Sequence, residues 1–524
     1  MQNQQFKDRN EIYLYKKTVK KNSNICMWFY FPGPESFAMS SLGYLWLFKE
    51  LDMADYIDVE RVYTDTKTTR IMKDNVDIIA VSMSFDMDFL HLFKFMEQNG
   101  FEFKASERGE LCPFIYGGGP VITSNPEPYS EIFDFMVIGD GEGGLNEKIA
   151  NIVYEGRKNG LLKSEILSNL CEIDGIYVPS EFNSKPKKVL KITNKLGNCV
   201  YTPILSNKAF FPNTFILELE RGCANRCGFC LASYMNLPIR HAEYNDIINL
   251  IDYALKYTNK IALLGAQVTA HPKFFEICKY IENRIDIGED IEMSVSSLRV
   301  DAFVPEIVNT LVKAGQKNLT LAIEAGSERL RRVINKNLTE DQIFDAVEVA
   351  KNCGLRGLKF YGMLGLPTET QDDIDEIIAL CKKLKSRYKG FDLSFGFSTF
   401  VPKPNTPFQW FGREDEKSLE KKSNYLKKEL HKLGIQISVS SPKWDYYQAL
   451  LSRGDSKLTD YLIEVYKQGG KIGAFRNAAK TLNINTDYYA TENYDYNKVL
   501  PWDFIDIKPG KQFLTDESKR LTGK

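Results

Sequence analysis

Three cysteines stand close together in a chain that otherwise scatters them. Cys223, Cys227 and Cys230 form C-x3-C-x2-C in RGCANRCGFC, while Cys26, Cys112, Cys171, Cys199, Cys278, Cys353 and Cys381 lie apart. Three thiolates at this spacing on one loop can ligate three irons of a cubane 4Fe-4S cluster and leave the fourth iron open to chelate a small ligand. The alternatives are a zinc site, though a structural one would show paired C-x2-C units and four ligands, or three unremarkable cysteines. A second constellation is rich in glycine. In YGGGPVITSNPEP, Gly117, Gly118 and Gly119 leave the end of an apolar run without side chains, so a large flat ligand can approach the backbone. Ser82 and Ser84 close the apolar run before it.

The elements that must position these residues fall into two α/β segments. Residues 1–24 are polar and read as an irregular arm. Over 25–180, CMWFYF, DIIAVSMS, PFIYGGG and FDFMVIGDGEGG are nearly continuous apolar runs, with helical spacing in SSLGYLWLFKELDM and DFLHLFKFMEQNG between them. Strands alternating with helices predict a doubly wound parallel sheet, which binds ligands beyond the C-terminal ends of its strands. Residues 181–207 are polar and Lys-rich without clear periodicity and read as linker or edge-strand material between domains. Over 208–410, TFILELER, KIALLGA, IEMSVSSLRV, NLTLAIEA, GLKFYGMLG and DLSFGFSTFV alternate with five helical patterns. That predicts a partial (βα)6 barrel with its chemistry at the strands' C-terminal ends. The cysteine loop follows the first of these strands. Residues 411–524 open on a charged helix and continue through IQISVS into further helical patterns, a small α+β accessory region.

Composition narrows the classes. The 524 residues are 43% hydrophobic and 26% charged, with 68 Lys+Arg against 69 Asp+Glu, a net charge of -1. Those values describe a globular chain of about three domains and exclude a whole-chain electrostatic partner such as bulk nucleic acid or an anionic membrane. No apolar run approaches the roughly 20 residues of a membrane helix, and the polar start lacks a signal-peptide core. A cytoplasmic protein without a disulfide scaffold is expected.

The cysteine motif, with Phe229 at its aromatic position, resembles the signature of the radical SAM superfamily over about residues 208–410. The resemblance implies that S-adenosylmethionine (SAM) chelates the open iron through its amino and carboxylate groups. It also implies that an electron from the reduced cluster cleaves the sulfonium, and that the 5′-deoxyadenosyl radical so formed abstracts hydrogen from a substrate. LLGAQVTAHP carries Gly265, Ala266 and Gln267 where the superfamily often has a Gly-Gly-Glu turn for the SAM amino group, and a Gln267 carbonyl could accept that bond. Ser297 and Arg299 end the third strand, where a guanidinium suits the SAM carboxylate. Glu324 ends the fourth, where a carboxylate suits ribose hydroxyls. The alternative for Arg299 and Glu324 is an ordinary surface salt bridge. GMLGLPTET, with Gly365, Pro367 and Glu369, resembles the fifth-strand turn that approaches the adenosine.

The glycine-rich segment resembles the cobalamin-binding domain that precedes many radical SAM cores. Gly118, Gly119, Thr123, Pro126 and Glu127, then Asp134, Gly139, Asp140 and Glu142, follow that domain's pattern. The D-x-H-x2-G motif, in which histidine replaces the lower base, is absent, and His91 falls inside a helix. The segments SSLG, ERVYTD, PKPNTPFQW, SRGDSKL and LPWDFID resemble an uncharacterised branch of such proteins. The Arg-Gly-Asp of SRGDSKL reads as a structural turn.

The resemblance implies a cobalamin-dependent radical SAM enzyme, a C-methyltransferase by family precedent, with SAM used both for radical formation and for re-methylating cobalamin. The rivals are a methylthiotransferase-like or other non-methylating radical SAM enzyme, and a non-enzymatic iron–sulfur redox or assembly protein. Methylthiotransferases carry a second cluster on three N-terminal cysteines, whereas Cys26, Cys112, Cys171 and Cys199 are dispersed here. The expected partners are an unidentified substrate and a low-potential electron donor of the flavodoxin or ferredoxin class, without membrane and without a strong nucleic-acid signal.

Overall fold

The computed structural model describes residues 11–18, 20, 24–65, 76–184, 188–196, 199–296 and 298–523. Six strands form the N-terminal sheet, in the spatial order Ile57–Tyr63, Ile25–Phe31, Ile78–Ser82, Phe114–Gly118, Phe135–Val137 and Ile176–Tyr177. The first five run parallel and the last is antiparallel. Strand order reverses between Ile25–Phe31 and Ile78–Ser82, which opens a crevice beyond their C-terminal ends. Alternation sorts the side chains. Met27, Phe29, Ile78, Ala80, Phe114 and Tyr116 pack into one core, and Trp28, Tyr30, Ile79, Val81 and Ile115 into another. A sheet buried on both faces explains the unbroken apolar runs.

The barrel consists of two parallel runs. Phe215–Glu218, Lys260–Leu264 and Glu292–Val295 form one; Asn318–Glu324, Gly357–Leu364, Asp392–Thr399 and Gln436–Val439 form the other. A parallel bridge from Leu298 to Leu321 joins them. The IQISV segment, which the sequence places in the accessory region, therefore extends the barrel sheet as a seventh strand. Its register is set by Phe395 opposite Ile437 and Phe397 opposite Val439.

Two further segments take part in the sheets and cores. In the predicted linker, Val189–Leu190 pairs with Ile505–Asp506 and Ile204–Ser206 pairs with Glu11–Tyr13 of the N-terminal arm. The accessory region supplies Tyr447, Leu450, Tyr461, Phe475 and Trp502 to the core on the Trp28–Tyr30 face. The helices Pro442–Ser452 and Leu458–Lys467 thus cover one face of the N-terminal sheet, beside Phe89–Gln98. Among the described residues no helix is long and apolar enough to cross a membrane.

Candidate functional site

The cysteine loop leaves the first barrel strand through a short ribbon in which Glu220–Arg221 pairs with Arg240–His241. It is held from several sides. Asn335 Nδ2 donates to the Asn225 and Arg226 carbonyls at 2.8 and 3.2 Å, and the Tyr234 hydroxyl donates to the Arg226 carbonyl at 2.7 Å. Backbone bonds tie Gly228 to Ile334 and Phe408. Cys223 and Cys227 are buried, Cys230 half-buried. Among the described residues no three His, Cys, Asp or Glu side chains gather around one point as a mononuclear metal needs. The donor set, three sulfurs on one loop anchored at its backbone, is the one a cubane cluster with an open fourth iron takes. Burial pushes the Cys227 thiol up to about 12, with the Lys336 and Arg299 cations pulling the other way.

The predicted strand-end residues converge on this loop unevenly. Gln267 donates its backbone N–H to Glu220 Oε1 at 2.6 Å, and its side-chain oxygen accepts from Asn225 and lies 3.7 Å from Cys223 Sγ. Glu324 ends its strand at φ +65°, after a register shift between Ala322 and Glu324, and accepts from Lys336 Nζ at 3.1 Å. Arg299 forks onto Asp301 at 2.9 and 2.8 Å and reaches the Lys336 carbonyl at 3.3 Å. Both residues make salt bridges, and Arg299 makes its own within electrostatic reach of Cys223 and Cys227. Ser297 lies outside the described residues. Two residues turn elsewhere. Phe229 packs among Leu330, Phe400, Phe408 and Leu521. Gly365 faces the helix Glu416–Lys432, where a Cβ would come within 2.8 Å of Leu419.

A cavity of about 410 Å³ opens beyond the C-terminal ends of the N-terminal strands, where the order reverses. Ser82, Ser84, Gly118, Gly119, Thr123, Gly139 and Glu142 line it, as do Tyr44, Tyr116 and Lys191; the barrel closes it with Glu218, Arg221, Met235 and Asn236. The three glycines differ. A Cβ on Gly117 would meet the Phe133 ring at 2.7 Å, so this residue belongs to the core and not to the cavity floor. Gly118, one residue on, faces the cavity, and a Cβ there would meet only Val137 at 3.7 Å. Gly119 has φ +104° and a Cβ would strike the Met83 carbonyl, so the turn itself requires glycine. Glu127 stands away from the cavity lining and accepts from the Tyr177 hydroxyl at 2.7 Å. His91 is exposed on its helix and does not line the cavity.

Charge fastens the two walls. Arg221 pairs with Glu142, with Asp140 at 3.2 Å and with Glu218 at 2.7 Å; Arg240 pairs with Asp140 at 2.5 Å. Burial works to raise the Asp140 carboxyl, but the two guanidinium groups outweigh it and hold the carboxyl below its usual range. Glu142 is thereby committed to the seam. Arg221, Lys336 and Glu220 were not singled out in the sequence. Arg221 was the most accessible of the three, since it precedes the first cysteine by two residues.

The family described as the radical SAM superfamily matches residues 217–381, and the one described as radical SAM proteins, N-terminal, matches residues 44–179. An uncharacterized protein of Methanocaldococcus jannaschii is 30% identical over 74% of this chain and 80% of its own length. An uncharacterized methyltransferase of Pyrococcus horikoshii is 25% identical over 54% of this chain and 60% of its own length. A tRNA-2-methylthio-N(6)-dimethylallyladenosine synthase of a Sulfurihydrogenibium species is 24% identical over 58% and 67%. Among solved structures, the cobalamin-dependent S-adenosylmethionine radical enzyme OxsB with aqua-cobalamin bound aligns with TM-score 0.52 at 14% identity, over 95% of this chain and 79% of its own. At that identity the likeness is one of fold.

Proposed function

The chain belongs to the radical SAM superfamily, and on that premise we propose that it is a cobalamin-dependent radical SAM enzyme that methylates carbon. The observation that carries the cobalamin reading is the cavity. It lies beyond the strand ends of a doubly wound sheet, its floor is bare at Gly118, and its far wall includes Arg221 of the ribbon that leads into the cysteine loop. A flat tetrapyrrole-like ring needs a strand end without a side chain and a second wall to hold its other face. The solved fold neighbour with aqua-cobalamin supports the same reading.

When bound, the cluster and SAM would supply a carbon-centred radical, and cobalamin a methyl group to cap the substrate radical. The chain's own residues do the holding. Cys223, Cys227 and Cys230 offer the thiolates. Gln267 presents its carbonyl oxygen beside Cys223, where a SAM amino group would be met. Arg299 and Lys336 place two cations beside Cys227, where a carboxylate would be met. Tyr44 and Tyr116 give the cavity apolar walls, and Arg221 holds the two walls together. A low-potential electron donor of the flavodoxin or ferredoxin class completes the scheme.

The test is anaerobic titration with hydroxocobalamin, read from the visible spectrum after gel filtration. Wild type should retain about one equivalent. Gly118→Val should retain none while keeping its iron and its melting temperature, because the new side chain points into open space. Failure of folded, cluster-loaded wild type to retain corrinoid would sink the cobalamin reading and leave a radical SAM enzyme of another reaction.

A further inference from the structure

Two sequence motifs that the radical chemistry does not use meet in space. SRGDSKL and LPWDFID lie more than forty residues apart, yet Arg453 and Asp455 of the first and Leu500, Asp503 and Phe504 of the second line one cavity of about 340 Å³. Tyr488, Tyr489, Tyr494 and Lys498 from the intervening segment complete it. No residue of this cavity lines the one beneath Gly118.

Its chemistry is cationic and aromatic. Arg453 is fully buried and lies 3.6 Å over the Tyr494 ring. Its two terminal nitrogens donate to the Phe411 and Glu492 carbonyls at 3.2 and 2.8 Å, and its Nε has no partner. Lys498 Nζ stands 3.2 Å over Tyr494 and 4.1 Å over Tyr488. Among the described residues neither cation has a carboxylate within ion-pairing distance. The two acids of the cavity are otherwise engaged. Asp503 pairs with Lys511 at 2.5 Å, and Asp455 accepts from the Tyr489 hydroxyl at 3.0 Å and the Lys457 N–H at 3.1 Å. A buried guanidinium without a carboxylate is costly unless an anion completes it. Tyr488, 37% exposed, offers ring surface at the same place.

We propose that this cavity is a second ligand site, which takes a small organic anion carried on a flat ring. The charge is met by Lys498 and Arg453 and the ring by the tyrosine wall. Burial separately pulls the Arg453 guanidinium down to about 10, a strain that an anion relieves.

Isothermal titration of the full chain tests this with two ring anions, para-hydroxybenzoate and guanosine monophosphate, against phenol, guanosine and inorganic phosphate. At least one ring anion should bind with a Kd below about 1 mM, at least roughly tenfold tighter than its neutral counterpart and than phosphate alone. Which of the two binds distinguishes a carboxylate from a phosphate ligand. Lys498→Gln should weaken binding roughly tenfold or more. Val499→Asp, at a rim position 80% exposed, should do the same by repulsion without touching the core. The proposal is overturned if neither ring anion binds saturably, if the neutral rings bind as well, or if both variants stay folded with unchanged affinity.

Discussion

Cys227 carries a thiol that burial holds in its protonated form, on a loop whose backbone is fixed by Asn335, Tyr234 and Phe408. Binding of iron must displace that proton, and the fixed loop means that little ordering remains to be done when it does. Replacing Cys223, Cys227 and Cys230 together by Ala should abolish cluster iron and acid-labile sulfide after anaerobic reconstitution, with the melting temperature of the metal-free protein kept. A triple variant that still assembles a full cubane would move the site to the scattered cysteines. Around the loop, Arg299, Lys336 and Glu324 form one charged group. Arg299→Gln and Glu324→Gln should leave iron unchanged and weaken SAM binding by about 1.5–3 kcal/mol, roughly ten- to a hundredfold by calorimetry. Unchanged affinity would return both residues to a purely structural salt-bridge role. The strand's period of two divides the glycine run between the two faces of the sheet. Tyr116 and Gly118 share a face and Gly117 takes the other, so the period separates the two glycines, while the packing of Phe133 against Gly117 shows which of them belongs to the core.

At the scale of elements, the acidic turn after Phe135–Val137 and the ribbon before the cysteine loop are held together by Asp140 between Arg221 and Arg240. Asp140→Asn leaves both guanidinium groups buried with fewer partners, though Arg221 keeps Glu142 and Glu218. A loss of up to about 3 kcal/mol in denaturant unfolding is expected. The pH dependence has a definite sign. The folded carboxyl titrates below its unfolded value of about 3.9, so its stabilisation is complete above that pH and lost as pH falls through the lower folded value. The difference between wild type and Asp140→Asn should hold steady from about pH 7 to 5 and shrink below about 4. A constant difference down to complete acid unfolding would contradict this. The strands of both sheets were legible because burial on both faces writes unbroken apolar runs. The partners of 181–207 were not, because two- and three-residue strands are too short to show a period.

On the scale of the whole molecule, the accessory region does not form a separate body. Its helices show in the sequence that they bury one side, but amphipathic spacing does not say against what. Here they complete the core under Trp28 and Tyr30. Trp502 is 1% exposed in that core and donates from Nε1 to Gln409 Oε1 at 2.7 Å. Trp502→Ala should cost about 3–5 kcal/mol and raise hydrogen exchange in the strands Ile25–Phe31 and Ile78–Ser82 as well as in the C-terminal helices. Exchange rising in the C-terminal helices alone would show that the two parts unfold independently. Arg221 has a different consequence. Its side chain lines the cavity under Gly118, and its backbone stands two residues before Cys223, so one residue joins the wall of the cavity to the loop of thiols. Any linkage between the two occupants is reciprocal. By whatever factor a filled cysteine loop changes the affinity of the cavity, a filled cavity changes the affinity of the loop by the same factor.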